Sequence, residues 1–165
     1  MSLSEVALRS ALIGVGATIM LDIWASLAQR LLGIPRPDWG MFGRWIGHIP
    51  DGRWFHSGIA ASRAMPGERV MGWCAHYAVG IVFAAMLLVL AGPAWFRNPT
   101  FLPAFTMGVV TVAAPFFILQ PAMGAGVAGS RTPSPWRTRS SSLLSHSVFG
   151  LGLYVAAVLV AELTG

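Results

Sequence analysis

The 165-residue chain has no lysine, one cysteine and few charges of either sign. Charged residues make up 10% of it, against about 25% in soluble domains, so water is not the solvent this sequence is written for. The lone Cys74 rules out an intrachain disulfide. Without lysine, the net charge of +5 is carried by arginine alone. A pI near 11.1 raises nucleic acid as a partner, but the arginines stand between apolar stretches. Anionic lipid headgroups fit that placement better, and nucleic acid is not expected.

What is there instead is hydrophobic, 55% of residues, with a mean hydropathy of +0.66. Crossing a bilayer takes ~20 apolar residues in a helix. Four segments qualify, at about 8–31, 70–91, 101–121 and 142–162. The expectation is an all-α membrane protein, a four-transmembrane-helix bundle forming a single domain over residues 1–165. The first span has some look of a signal peptide, with an apolar stretch and Ser26-Leu27-Ala28 behind it. Glu5 and Arg9 cancel in its leading segment, so it reads as a retained helix. Pro115 inside the third span predicts a kink, because proline removes a backbone donor and clashes one turn back.

The arginines orient the spans. Arg36, Arg44, Arg53, Arg63 and Arg69 lie in the first loop, Arg131, Arg137 and Arg139 in the third, and Arg30 ends span one on the same side. Only Arg9 and Arg97 lie opposite. The positive-inside rule then places the first and third loops in the cytoplasm and both termini on the periplasmic side.

The first loop, 32–69, is patterned. Phe42, Trp45, Ile46 and Ile49 recur at i, i+3, i+4, i+7, with Arg44 and His48 elsewhere on the wheel. This predicts an amphipathic helix at about 39–49 lying in the interface. A second short helix is expected around Phe55–Ala64, and the third loop, 124–141, reads as an irregular basic segment. Arg44, Arg53, Trp45, Arg137 and Arg139 are the expected headgroup contacts. Several tryptophans near span ends, Trp95 among them, read as interfacial anchors.

Each span carries polar residues. Asp22 lies eight residues before Arg30, ~12 Å inward at helical rise. His76 and His146 lie seven after Arg69 and Arg139, ~10 Å inward. Gln120 closes the third span, and Thr18 is one turn before Asp22. Asp22, His76 and His146 stand on stripes of small residues: Gly14, Thr18, Asp22, Ser26; Gly72, His76, Gly80; Ser142, His146, Gly150. Small residues let helices approach in lipid, so these stripes predict inward faces. The shared pattern small-x3-His-x3-Gly in spans two and four also suggests two related hairpins.

Several stretches together resemble the bacterial membrane-protein family called domain of unknown function 2938. They are Gly16-Ala17-Thr18…Met20-Leu21-Asp22, Gly43-Arg44-Trp45…Gly47-His48, Pro66-Gly67-Glu68-Arg69…Gly72-Trp73…His76-Tyr77, Gln120-Pro121…Gly124-Ala125-Gly126 and His146…Phe149-Gly150-Leu151-Gly152-Leu153-Tyr154. The resemblance covers nearly the whole chain. It implies a bacterial inner-membrane protein and no particular activity.

Four readings of the polar residues compete. They brace helices by hydrogen bonds, in a scaffolding subunit of a larger membrane complex. Alternatively, Asp22, His76, His146, Gln120 and Thr18 form an ion or proton site in a small transporter, for which a homodimer would supply enough helices. As a third reading, His76, His146, Asp22 or His56 hold a haem or a metal, although no cofactor motif is present and none is expected. The fourth is an enzyme acting on lipid through His48, His56, Asp51 and Arg53, which no nucleophile motif or carboxylate pair supports.

Overall fold

A computed structural model describes residues 2–164, except for the Thr164 side chain. Four helical segments are long and apolar enough to cross a membrane: Leu3–Leu32, Glu68–Ala91, Phe101–Ala122 and Pro135–Leu163. No strand occurs among the described residues.

Helix α1 (Leu3–Leu32) starts where the Ser2 side chain accepts from the Glu5 amide. It stops at Gly33, whose φ of 64° suits a residue without Cβ. α2 (Trp39–His48) is the expected amphipathic helix, capped by Asp38, whose carboxylate accepts the Gly40 amide at 2.8 Å. α3 (Glu68–Ala91) is followed by the short α4 (Pro93–Arg97).

The third span is broken, as Pro115 predicts. α5 (Phe101–Val110) ends early, and the backbone widens into a π turn over Pro115–Leu119 before α6 (Gln120–Ala122). The Gln120 amide reaches back five residues to the Pro115 carbonyl. With no N–H on Pro115, the regular ladder cannot pass through it.

Two expected segments need correction. α7 (Pro135–Thr164) starts seven residues before the expected span, so Arg137 and Arg139 are helical. Pro135 suits a first-turn position, where its missing N–H costs nothing, and the Ser134 carbonyl accepts the Thr138 amide. The expected helix at 55–64 is only one 3₁₀ turn, Ile59–Ala61. The reason is Arg44: its guanidinium donates to the Ile59, Ala60 and Ser62 carbonyls, the groups a longer helix would use.

The chain groups into two compact units. The first holds Met1–Pro35, Tyr77–Thr111 and Leu144–Gly165. Its core includes Ile13, Ala17, Leu87, Phe96, Phe149 and Leu153, all buried. Small residues set its helix contacts. A Cβ on Gly14 would strike the Ile81 backbone of α3, and one on Gly108 would strike Gly150 of α7. Ile23, Val89, Leu90 and Leu159 face outward, as lipid allows. Trp95 is not the expected surface anchor; it is 6% exposed, and its indole donates to the Thr100 carbonyl.

The second unit holds Arg36–His76 and Val112–Leu143. There α2 lies directly on the start of α3: a Cβ on Gly43 would meet the Glu68 carbonyl, and one on Gly72 the Trp39 carbonyl. The segment after α2 is tied to the end of the third span by hydrogen bonds from the His56 amide to the Ala122 carbonyl and from the Ile59 amide to the Met123 carbonyl.

Candidate functional site

Asp22 is the one acidic residue in the interior of α1, and a carboxylate there needs a donor. Tyr77, on α3, supplies one: its hydroxyl donates to Asp22 Oδ2 at 2.9 Å. Thr18, one turn before Asp22, is 1% exposed and donates to its own helix at the Gly14 carbonyl, 2.7 Å away. Its hydroxyl oxygen keeps acceptor capacity, while its proton is committed. Ser26 likewise donates to the Asp22 carbonyl at 2.8 Å.

His146 is held from α5. Thr111 Oγ1 donates to the Gly108 carbonyl at 2.6 Å, which uses its only proton. The same oxygen lies 2.9 Å from His146 Nδ1, and the Gly108 carbonyl 3.3 Å from it. Both neighbours must therefore accept, and Nδ1 must carry hydrogen. This assigns the neutral ring its tautomer and leaves the lone pair on Nε2, free to take a proton.

Asp22 and His146 share a level in the first unit. Ala17 meets Gly152 and Gly16 meets Ala156, so α1 and α7 run antiparallel. Asp22 is five residues beyond Ala17, and His146 six before Gly152. At 1.5 Å per residue they lie ~7.5 and ~9 Å along the axes, on the same side of that crossing.

His76 and Gln120 belong to the second unit. His76 is 8% exposed and stacks on Trp39 with ring centroids 3.8 Å apart. Gln120 donates to Ser142 Oγ at 3.3 Å, and its carbonyl oxygen is buried without a partner among the described residues. His56 pairs with His48, Nε2 to Nδ1 at 2.9 Å. Among the described residues no three of His, Cys, Asp and Glu come together as a metal would require.

Of the expected headgroup contacts, Arg44 is committed internally. Its Nε and one terminal nitrogen donate to the two Glu68 oxygens at 2.8 and 2.7 Å. The hydrogen bond to that carboxylate holds the guanidinium pKa above its ordinary value. Trp45 donates to the Trp54 carbonyl, and Arg139 to that of Ala128. Arg53 and Arg137 are exposed.

Sequence reasoning missed Tyr77, Thr111 and the Arg44–Glu68 pair. A signal for Tyr77 existed: it is one of only two tyrosines, and a phenol inside an apolar span needs a partner.

Residues 11–160 match one family model, described as Protein of unknown function (DUF2938). No curated protein and no solved structure matches the chain.

Proposed function

We propose, from the premise that this chain belongs to the family described as Protein of unknown function (DUF2938), that it is a small transporter moving a proton or small cation across the membrane. The observation that carries this is Asp22, a carboxylate within an apolar helix that accepts a hydrogen bond from the Tyr77 hydroxyl of a second helix. An ionisable side chain at such a depth is by default a candidate proton or ion site. His146, at the same level with an open Nε2, is a second carrier in the same unit. The arginine distribution puts this level nearer the cytoplasmic side of a bacterial inner membrane, with both termini periplasmic. Four helices are few for alternating access, so the working form is a homodimer.

The test is pH-dependent flux in proteoliposomes loaded with a pH-sensitive dye. Asp22→Asn lowers flux at least about tenfold, the scale on which an essential proton carrier acts. Unchanged flux, or none from the native protein, removes the proposal.

A second reading is favoured by one observation. Tyr77 to Asp22 and His146 to the α5 backbone each bridge two helices beside close glycine contacts. Such bridges brace a bundle, as in a scaffolding subunit. Native stability with no flux would select it.

A further inference from the structure

The second unit opens a cavity of about 500 Å³ where the chain enters α2 and α3. Arg36, Asp38, Trp39, Glu68, Arg69 and Trp73 line it. That volume lies in the range of small-molecule sites. Its charges are unequally available. Glu68 is already engaged by Arg44. Arg36 and Arg69 take part in no ion pair among the described residues. Asp38 accepts the α2 amide through one oxygen only. Two free guanidiniums, one half-engaged carboxylate and two indoles therefore face one space.

We propose that this cavity binds the headgroup of a zwitterionic phospholipid: a phosphodiester on Arg36 and Arg69, and its amine beside Asp38 and the tryptophans. Guanidinium suits phosphate because its donors fork onto two oxygens. Ammonium suits a carboxylate flanked by indole faces. A lipid rather than a soluble phosphate is indicated by the lip of the site. Val70, next to Arg69, is 68% exposed at the start of an apolar helix, so an acyl chain can follow α3 from the headgroup. This does not rest on the transport reading, since it uses none of its residues.

The experiment is native mass spectrometry of the full chain released from nanodiscs of phosphatidylethanolamine and phosphatidylglycerol in equal parts. The native protein retains phosphatidylethanolamine about fivefold over phosphatidylglycerol, the discrimination one exposed charge contact supplies. Arg36→Ala with Arg69→Ala loses at least about tenfold of that retention, while Arg53→Ala, exposed outside the cavity, does not. Asp38→Asn keeps the helix cap, since asparagine caps as well as aspartate, but removes the charge. It equalises the two lipids. Equal retention by the native protein overturns the proposal, as does an unchanged preference in Asp38→Asn. The second outcome decides the matter even if the double arginine variant fails to fold. Displacement of the lipid by equimolar free phosphoethanolamine overturns the lipid assignment.

Discussion

Tyr77 and Asp22 illustrate how a membrane changes the value of one hydrogen bond. In water either group would find solvent; within an apolar helix each needs a partner in the protein. Tyr77→Phe keeps the ring and removes only the donor. The expected loss is about 0.6 kcal/mol, and at most ~2, the range of hydrogen bonds between membrane helices. Thermal unfolding in detergent measures it. If Asp22 is a carrier, flux in this variant changes far more than stability does; if it is a brace, the two change together. Arg44 shows the opposite arrangement. Its charge is fully matched by Glu68 and three carbonyls, so it organises the second unit and is not available to a ligand. Its role was not legible from spacing, because Glu68 is 24 residues away and nothing in the periodicity joins them.

At the scale of elements, close approach is set by small side chains. Gly108 faces Gly150 so tightly that a methyl group on either helix has no room. Gly108→Ala is expected to cost ~1–3 kcal/mol, the usual penalty for overpacking a filled interface. It should also displace Thr111 from His146, three residues on. A lowered melting point measures the first effect, and a shifted imidazole resonance of His146 the second. The small-residue stripes of the first, second and fourth spans were readable in advance, and so were the helices they lie on. The length of α7 was not. Its first turns are polar and basic, and nothing in their composition separates a loop from a helix end standing in the headgroup zone. The broken third span was half legible: Pro115 predicted the interruption, but the π turn depends on where the Gln120 amide finds an acceptor.

For the whole molecule, the unequal arginine distribution predicts topology. In a Cys74→Ser background, a membrane-impermeant maleimide on intact bacteria should label Asn98→Cys and leave Arg63→Cys unlabelled until the cells are opened. Both positions are exposed. The reverse pattern would invert the protein and put the Asp22 level nearer the opposite face.

Composition and order along the chain decided that four apolar helices form, which family they belong to, where an amphipathic helix sits and which loops are basic. These are properties of one segment against its solvent, so a one-dimensional pattern carries them. Tertiary structure alone decided that Tyr77 serves Asp22, that His146 presents Nε2, that Arg44 is consumed by Glu68 and that Arg36 and Arg69 open onto one cavity. Each of these depends on the rotation and register of one helix against another. Backbone contacts at a few glycines set that geometry, and residues far apart in the chain become partners only once it exists.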